Sequence, residues 1–347
     1  MASTTCATLA TRPASHLLSG PVLITRTPLR ITLGGGGTDL PSYFTRRPGF
    51  VISAAIDKHI YIGLNRTFTD DYFLKYSALE RVAHPDEIEH PIIRAALQLH
   101  NIGPALEIVS LADIPAGTGL GSSGSFTVGL LRALYAWKRE HVTAGDLAEE
   151  ACRVEIDLLG RPVGKQDQYI AAFGGVSCFE FHADGCVKVS PLSIPTSTMH
   201  ELEERLLMFF TGSSRTADEI LDNQRRRTEE GDESMIESMR RVEELGLLIR
   251  HALEGGDVER FGQLMHEHWL EKRGRTKGMS NPDIDRWYQR GIENGAVGGK
   301  LTGAGGGGFL LFLASDPAKL REAMASEGLA EVRFGFDHDG SSIVVRA

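Results

Sequence analysis

The sequence predicts an α+β protein with two domains. Its 347 residues exceed the usual length of one domain, and 41% apolar with 24% charged residues is typical of a folded globular chain. The pattern over residues 22–68 is mainly that of strands, whereas the second half alternates long amphipathic helices with short apolar strands. We expect an N-terminal extension without fixed structure over residues 1–20, a first domain over residues 21–195 and a second over residues 196–347.

The first domain is predicted to begin with strands and to end with helices. Alternating or continuous apolar runs mark the strands, and apolar residues at helical spacing mark the helices. The predicted strands cover residues 22–24, 30–33, 51–56, 60–64 and 106–112, and the predicted helices cover residues 88–100, 125–138 and 146–159. We expect strands 51–56 and 60–64 to pair with each other.

The second domain is predicted to be a layer of strands covered by helices. Asn281 and Pro282 form a helix cap followed by a first-turn proline. The strand–helix–strand order is typical of a split βαβ layer. The predicted strands cover residues 206–210, 309–313, 332–336 and 342–345, and the main helices cover residues 216–229, 234–253, 257–271 and 317–326.

Charge and cysteine content exclude several classes of protein. A net charge of −9 argues against nucleic acid or an anionic membrane as the main partner. The four cysteines show neither metal-ligand spacing nor disulfide-scaffold density, which favours free thiols in a reducing compartment. We therefore expect a cytoplasmic protein. Residues 1–20 contain no acid and many hydroxyl side chains, so a transit peptide is the alternative to an unstructured extension.

Residues 115–124 are the strongest functional signal. They read Pro-Ala-Gly-Thr-Gly-Leu-Gly-Ser-Ser-Gly and lie between a predicted strand and a predicted helix. A glycine-rich turn that opens a helix presents unpaired backbone N–H groups at the positive end of the helix dipole, which is a phosphate site. Ser122 and Ser123 would either cap the helix or bind a nucleotide-bound Mg²⁺.

Three other interpretations of this segment compete with that of a nucleotide phosphate loop. The dinucleotide fingerprint needs a second strand ending in an acidic residue about 20 residues later, but a helix follows here. The Walker A pattern needs a lysine after the last glycine, and none is present. A purely structural helix cap explains the serines but not the number of glycines. The sequence therefore predicts a phosphate loop.

Two further glycine-rich segments flank other strands. Residues 34–37 are four glycines followed by Thr38 and Asp39, whose polar groups suit sugar hydroxyls. A flexible hairpin with Asp39 as a helix cap is the alternative there. Residues 303–308 precede the strand predicted over residues 309–313. Three such turns in one chain indicate a charged ligand, since glycine costs backbone entropy.

Two carboxylates and one basic segment are candidates for chemistry. Glu155 falls on a mostly buried flank of its predicted helix, so it should be paired or bound to a metal; a salt bridge and a Mg²⁺ site both stay open. Asp167 would either cap a helix or accept the proton of an attacking hydroxyl. The basic run over residues 272–277 is predicted to be a loop whose cations reach an anionic substrate.

Together these segments resemble the three motifs of the GHMP kinases (galactokinase, homoserine, mevalonate and phosphomevalonate kinases). Residues 30–39 are similar to the first motif, residues 115–124 to the second and residues 301–308 to the third, and the order matches over nearly all of residues 21–347. The resemblance implies a ribosomal-protein-S5-like N-terminal domain, a ferredoxin-like C-terminal domain and a cleft between them for ATP and a sugar. Where galactokinase has Gly-Glu-His-Thr-Asp this chain has Gly-Gly-Gly-Thr-Asp, so galactose is a poor candidate.

The resemblance also implies a role for individual residues. Asp167 matches the catalytic aspartate, and Arg30 matches a cation near that aspartate and the transferred phosphate. Mg²⁺ would be near Ser122, Ser123 and Glu155. The residues expected to bind ATP are Pro115, Gly117, Thr118, Gly119, Leu120, Gly121, Ser122 and Ser123. The residues expected to bind the acceptor are Gly36, Gly37, Thr38, Asp39, Gly305 and Gly306. Apart from the resemblance, a phosphate carried by the acceptor needs cations outside the ATP loop, and the candidates are Arg215, Lys272 and Arg275.

Within the superfamily, residues 27–43, 164–169 and 211–221 most resemble the D-glycero-D-manno-heptose 7-phosphate kinases. The expected reaction is in-line transfer of the γ-phosphoryl group of ATP to the anomeric hydroxyl of a heptose 7-phosphate. A kinase of the same fold acting on fucose or another heptose phosphate, and a non-catalytic nucleotide-binding regulator, are the alternatives. A homodimer stays open, because the sequence does not reveal the oligomeric state.

Overall fold

The computed structural model describes residues 22–212, 218–276 and 278–347. Arg215, Lys277 and the predicted extension over residues 1–20 lie outside the described residues. The described part consists of two β-sheets with helices packed against them, which confirms the predicted α+β class.

Twelve strands and eleven α-helices form the described structure. The strands are β1 (Leu23–Gly35), β2 (Gly49–Arg66), β3 (Tyr72–Lys75), β4 (Leu79–Val82), β5 (Leu106–Ala112), β6 (Val176–Phe181), β7 (Val187–Pro191), β8 (Leu206–Phe210), β9 (Ala296–Leu301), β10 (Phe309–Ala314), β11 (Ala330–Glu331) and β12 (Ser342–Arg346). The helices are α1 (Pro41–Phe44), α2 (Pro91–His100), α3 (Ser122–Lys138), α4 (Ala144–Cys152), α5 (Gln166–Phe173), α6 (Thr196–Arg205), α7 (Asp218–Glu229), α8 (Glu233–Glu254), α9 (Val258–Arg275), α10 (Pro282–Glu293) and α11 (Pro317–Ser326).

The first sheet is built around the long strand β2. Its order is β12-β1-β2-β5-β3-β4, and β6 pairs with the first part of β2 and with β7. All pairs are antiparallel except β3 with β5. Helix α3 packs directly on β1, because Gly129 lets its backbone approach Thr27. This contact places the segment before α3 beside the middle of β1, where the N–H of Arg30 donates to the carbonyl of Leu120.

Two strands predicted in this sheet are one strand. Residues 51–56 and 60–64 were expected to pair with each other, but both lie in β2 and both pair with β1. The register shifts at this point, since Pro28 faces His59 and Leu29 faces Ile56. Residues 57 and 58 are therefore a bulge in a continuous strand and not a turn.

The second sheet has four antiparallel strands in the order β11-β8-β10-β9. Its central strand β10 is buried along its whole length. Strand β9 was not predicted, because its two glycines interrupt the apolar pattern, yet Gly298 and Gly299 are needed: a Cβ on either would collide with backbone atoms. Asn281 accepts a hydrogen bond from the Ile284 N–H, as the predicted cap requires.

The end of the chain returns to the first sheet. The predicted strand over residues 332–336 is wrong, since only Ala330–Glu331 pair with β8. Beyond Val332 the chain crosses to β2, where Phe336 bridges Ile56. Strand β12 then pairs with β1. The segment was predicted to be a strand of the βαβ layer, whereas it changes partner as it passes between the two sheets.

The helix predicted over residues 146–159 consists of α4 and a π-helical turn, Arg153–Leu158. The wider turn changes the phase of the apolar stripe, so Leu158 at its end is about half exposed. Glu155, which was predicted to lie on a mostly buried flank, is completely buried. π-helical turns often occur at functional sites.

The largest apolar core joins the two halves of the chain. It contains residues of the first sheet and of α3 together with Leu245, Phe261 and Leu311 from the second half. A smaller core behind the second sheet includes Trp269 and Phe312. Among the described residues, no helix combines the length and hydropathy needed to cross a bilayer.

Candidate active site

A cleft of about 1050 Å³ brings the three glycine-rich segments together. Its wall includes glycines from residues 35–37, from residues 117–121 and from residues 303–307. Arg30, Asp39 and Asp167 also face this space. The segments, which are far apart in sequence, thus line one cavity with a carboxylate and a guanidinium inside it.

The segment before α3 has the geometry expected of a phosphate loop. Gly117, Gly119 and Gly121 all have positive φ angles (78°, 82° and 77°), which L-residues with a Cβ rarely adopt. Gly121 is the N-cap of α3, and Ser122 and Ser123 begin the helix without capping it through their side chains. The first-turn N–H groups of α3 are therefore available to an anion at the positive end of the helix dipole.

Three residues of the predicted ATP site support the loop instead of lining the cleft. Leu120 is fully buried. Thr118 is also buried, and its hydroxyl donates to the carbonyl of Pro115 at 3.0 Å. Neither these side chains nor Pro115 is among the residues that line the cleft, whereas Ala116 and the three glycines are. A bound phosphate would be contacted by the backbone here.

The third glycine-rich segment packs backbone against backbone on the phosphate loop. A Cβ on Gly303 would lie 2.4 Å from the Cα of Gly119, and one on Gly308 would lie 2.1 Å from the Thr118 carbonyl oxygen. Gly305 lines the cleft, whereas Gly306 donates its N–H to the Met279 carbonyl and does not line it. Only glycine fits at these contacts, so this segment fixes the position of the loop.

Arg30 and Asp167 form a bidentate ion pair at the centre of the cleft. The distances are 2.7 Å from Nε to Oδ1 and 2.9 Å from Nη2 to Oδ2. Nη1 of Arg30 donates to the Gly119 carbonyl at 2.6 Å, which ties the pair to the phosphate loop. Asp167 is in the first turn of α5 but makes no capping hydrogen bond. Its carboxylate lies in the cleft, paired with Arg30, and the capping alternative is not observed.

Thr38 and Asp39 differ in where they point. The Thr38 side chain is fully buried; its hydroxyl donates to the Phe50 carbonyl and accepts from the Phe50 N–H, and it does not line the cleft. It therefore holds the glycine turn on β2, contrary to the expected sugar contact. Asp39 lines the cleft and accepts from the N–H groups of Gly37 (3.0 Å) and Gln166 (3.2 Å). Burial and the nearby Asp167 raise the pKa of Asp39.

Glu155 forms a salt bridge, one of the two alternatives predicted for it. Its Oε2 accepts from the Ser123 hydroxyl at 2.5 Å and from Nη1 of Arg161 at 2.7 Å, and Arg161 also contacts the Ser123 hydroxyl. Gln168 donates to the other carboxylate oxygen. Burial raises the pKa of Glu155, and the contacts with Ser123 and Arg161 oppose this effect.

The same oxygens are the kind that Mg²⁺ prefers, so the donor set fits this ion. Among the described residues no cluster of three or more His, Cys, Asp or Glu side chains is arranged to hold a metal. A Mg²⁺ here would thus depend on nucleotide phosphates for further ligands. The metal role of Ser122, Ser123 and Glu155 stays a prediction.

Residues 272–275 of the basic segment, which was expected to be a loop, form the last turn of α9. Lys272 and Arg275 both line the cleft, three residues apart on one face of this helix. The loop prediction was wrong for these residues, because the helix predicted to end at residue 271 continues through Gly274 to Arg275. Gly36 and Gly37 line the same part of the cleft, and a Cβ on Gly37 would lie 2.9 Å from Nη1 of Arg275.

Similarity to known proteins identifies the family of this chain. Family models described as GHMP kinases N terminal domain and GHMP kinases C terminal match residues 90–175 and 249–329. A D-glycero-alpha-D-manno-heptose 7-phosphate kinase of Campylobacter jejuni is 31% identical over 332 residues, which cover 91% of this chain and 97% of that protein. The chain belongs to the GHMP kinase family. This confirms the resemblance drawn from the three motifs.

Two other similar proteins extend the comparison. The bifunctional fucokinase/GDP-fucose pyrophosphorylase of Arabidopsis thaliana is 28% identical over 85% of this GHMP kinase, a match that spans only 30% of the plant protein. The crystal structure of a D-glycero-D-manno-heptose 1-phosphate kinase from Bacteroides thetaiotaomicron superposes with a TM-score of 0.76 at 24% identity, covering 92% of this chain and 98% of that one. That structure shares the fold.

Sequence reasoning missed two groups of residues in the cleft of this GHMP kinase. One is apolar and aromatic and lies beyond the phosphate loop: Tyr76, His90, Ile92, Ile114 and Phe126. His90 stacks on Phe126, with ring centroids 4.9 Å apart. The other group is His268 and Lys300 beside the first glycine turn. No local motif marks either group, because each is assembled from elements distant in sequence.

Proposed function

We propose that this GHMP kinase transfers the γ-phosphoryl group of ATP to the anomeric hydroxyl of D-glycero-D-manno-heptose 7-phosphate, giving the 1,7-bisphosphate. The observation that carries the proposal is the Arg30–Asp167 pair, which lies in the same cleft as the phosphate loop and is hydrogen-bonded to it. The similarity to the Campylobacter jejuni heptose kinase over nearly the whole chain supports the choice of acceptor.

ATP would lie with its phosphates on the loop and its base at the apolar end of the cleft. The N–H groups at the start of α3 suit the phosphates, and their positive φ glycines allow close approach. The aromatic wall around His90 and Phe126 suits a planar base. Both ends belong to one continuous cavity, so a single nucleotide can occupy them together.

Mg²⁺ would be held by the ATP phosphates with Ser122, Ser123 and Glu155. When bound, it would neutralise charge on the phosphate oxygens and favour their alignment for transfer. Arg161 donates to Oε2 of Glu155 at 2.7 Å, so its guanidinium would compete with Mg²⁺ for this carboxylate. Arg161 also lines the cleft.

In the proposed reaction, Asp167 accepts the proton of the acceptor hydroxyl. The hydroxyl oxygen forms a bond to the γ-phosphorus, the bond from that phosphorus to the β–γ bridging oxygen breaks, and ADP leaves with the bonding electrons. Arg30 holds the Asp167 carboxylate in place through two hydrogen bonds. Its charge and the loop amides also stabilise the charge that develops on the phosphoryl oxygens.

The test is the Asp167→Asn variant, assayed by coupled ADP release with D-glycero-D-manno-heptose 7-phosphate. We expect kcat to fall by roughly 10²–10⁴-fold because the amide cannot accept the proton, while the affinity for ATP measured by calorimetry is unchanged. Asp283→Asn, which removes an exposed carboxylate on α10, is the matched control. Near-normal turnover of Asp167→Asn would remove this residue from the scheme.

An unphosphorylated sugar is the second candidate acceptor, favoured by the similarity to the plant fucokinase. A panel containing L-fucose, free heptose and heptose 7-phosphate separates the two. Turnover of the free sugars with the same kcat/KM as the sugar phosphate would favour the second candidate.

A further inference from the structure

The end of the cleft away from the apolar wall holds three basic side chains that have no acidic partner among the described residues. Lys272 and Arg275 come from α9, and Lys300 comes from β9. All three line the cleft. Within residues 22–212, 218–276 and 278–347, none of them takes part in a salt bridge, whereas the intervening Arg273 lies 3.7 Å from Asp285 on the outer face.

Arg275 is the residue whose bonding is most incomplete. Its side chain is 7% exposed, and its Nε donates to the Ser238 hydroxyl at 3.2 Å. Its Nη2 is buried and has no hydrogen-bond partner in the part of the chain that the structure describes. Nη1 lies against Gly37, whose missing side chain lets the guanidinium reach the glycine turn. A buried donor left without a partner is costly unless something else binds it.

The neighbouring cations use only part of their hydrogen-bonding capacity. Lys300 is 2% exposed and donates to the Leu33 carbonyl at 3.2 Å. Lys272 is partly exposed to the cleft and donates to the Gly303 carbonyl. His268, fully buried beside them, bonds the Gly35 carbonyl through Nε2 at 2.8 Å, and burial with the nearby Lys300 lowers its pKa well below the usual value. Burial and the nearby Lys272 lower the pKa of Lys300 well below its usual value, and a carbonyl contact is not an ion pair, so an anion would stabilise the charged form of this lysine.

Asp39 is the carboxylate that favours the charged form of Lys272, but it does not form an ion pair with any of the three basic side chains. Both of its oxygens already accept backbone N–H groups, from Gly37 and Gln166. Burial lowers the pKa of Lys272 to about 7, and the charges of Arg275 and Arg30 add to this effect while Asp39 opposes it. Keeping like charges together in a poorly solvated site costs stability, and a bound anion would offset that cost.

We propose that Lys272, Arg275 and Lys300 bind a phosphomonoester carried by the acceptor, remote from the hydroxyl that receives the new phosphate. This inference rests on the proposed function, since it names the part of the same cleft that selects a sugar phosphate over a free sugar. ATP has other donors, at residues 117–121 and at Arg30. A phosphomonoester carries a charge of about −1.5 to −2 and offers three acceptor oxygens, which match several cations better than a carboxylate does.

The kinetic test uses Lys272→Met and Arg275→Gln, with Arg273→Met as the matched control on the same turn of α9. With D-glycero-D-manno-heptose 7-phosphate, losing one charged hydrogen bond should raise the acceptor KM by about ten- to a hundredfold. The KM for ATP should change less than about twofold, since another set of donors binds it. The control should behave like the wild type. Equal increases in both KM values, or no increase for either variant, would overturn the site.

A binding test keeps the proposal independent of turnover. Inorganic phosphate is titrated while a non-hydrolysable ATP analogue with Mg²⁺ occupies the phosphate loop, and the melting temperature is recorded. We expect phosphate to raise Tm of the wild type and of Arg273→Met but not of Lys272→Met. Lys272→Met should itself melt no lower than the wild type, because it removes an uncompensated charge; this variant serves if Arg275→Gln does not fold.

The two tests separate failure of the site from failure of the proposed function. If phosphate stabilises the wild type and not Lys272→Met, while no heptose 7-phosphate is turned over, the anion site stands and the proposed acceptor is wrong. If heptose 7-phosphate is turned over but phosphate has no effect on Tm and the acceptor KM is normal in both variants, the kinase function stands and the site is wrong.

Discussion

The two ends of the cleft differ in how their charges are arranged. Around the phosphate loop the charged side chains are paired: Arg30 with Asp167, and Arg161 with Glu155. At the other end Lys272, Arg275 and Lys300 have no ionic partner among the described residues. Glycine turns border both ends, so backbone shape alone does not distinguish them.

The paired side chains are held in one orientation, whereas the unpaired basic side chains have unused capacity to bind an anion. A paired carboxylate and guanidinium hold each other in one orientation before the substrates arrive, which is the preorganisation that transition-state stabilisation needs. Unpaired cations instead make the empty site unfavourable and the anion-bound site favourable. We therefore expect substitutions at the loop end to act mainly on kcat or ATP binding, and substitutions at the other end to act on acceptor binding and stability.

The largest expected effect is at the paired end. Arg30→Lys keeps the charge but cannot donate two parallel hydrogen bonds to Asp167 and a third to the Gly119 carbonyl. We expect kcat to fall by about 10²–10³-fold with a much smaller change in the acceptor KM. Steady-state kinetics over both substrates measures this. A kcat within a few-fold of the wild type would show that the paired geometry is not needed.

A smaller effect is expected from Gly119→Ala. The residue has a φ of 82°, and a Cβ there would lie 2.8 Å from the Thr302 carbonyl oxygen, so the loop must shift. The left-handed conformation alone costs about 1–2 kcal/mol, so the KM for ATP should rise roughly tenfold. Gly103→Ala is the control, because a Cβ there meets nothing within 4 Å. An unchanged KM for ATP would mean that the loop backbone does not touch the nucleotide.

The unpaired end should show a pH-dependent stability. The pKa of Lys272 is about 7 in the folded protein and 10.5 in a free lysine, so between these values the unfolded chain binds more protons and stability rises with pH. Below about pH 7 Lys272 is charged in both the folded and the unfolded chain, so the free-energy cost of burying its charge is largest there. Lys272→Met should therefore exceed the wild type in Tm most at pH 6–7, with the difference shrinking toward pH 10.

This comparison requires a phosphate-free buffer, since a bound anion would favour the protonated lysine. Arg275 and Arg30, which lower the pKa of Lys272, and Asp39, which raises it, remain in both proteins. A Tm difference that is constant over pH 6–10 would contradict the prediction that the buried charge of Lys272 destabilises the folded protein.

The sequence predicted the loop end better than the other end, for a physical reason. Gly117, Gly119 and Gly121 form a local motif whose backbone conformation follows from residue type alone. Helix α3 and strand β5 on either side follow from local periodicity, and both predictions are confirmed. Asp167 and Arg30 were expected to lie near each other only through the family resemblance, since 137 residues separate them.

The unpaired end was predicted only in part: the basic run indicated Lys272 and Arg275, but not Lys300 or His268. Lys300 and His268 enter the cleft from β9 and α9, and nothing local distinguishes them from other basic residues. Strand β9 itself was missed because tertiary packing, not propensity, places its glycines in the sheet. The π-helical turn that aims Glu155 at Ser123 also has no signal at a period of 3.6 residues.

Thr38 tests whether a residue near the unpaired end binds the acceptor or only stabilises the fold. Its hydroxyl both donates to and accepts from the backbone of Phe50, at 3.0 and 3.1 Å, inside the protein. Thr38→Val should cost about 1–3 kcal/mol of unfolding free energy in urea, because two backbone groups lose their partner, while the acceptor KM stays within about twofold. Thr38→Ser, which keeps the hydroxyl, should recover most of the stability. If Thr38→Val instead raised the acceptor KM strongly at unchanged stability, the hydroxyl would belong to the sugar site, and the turn would have to open toward the cleft when the acceptor binds.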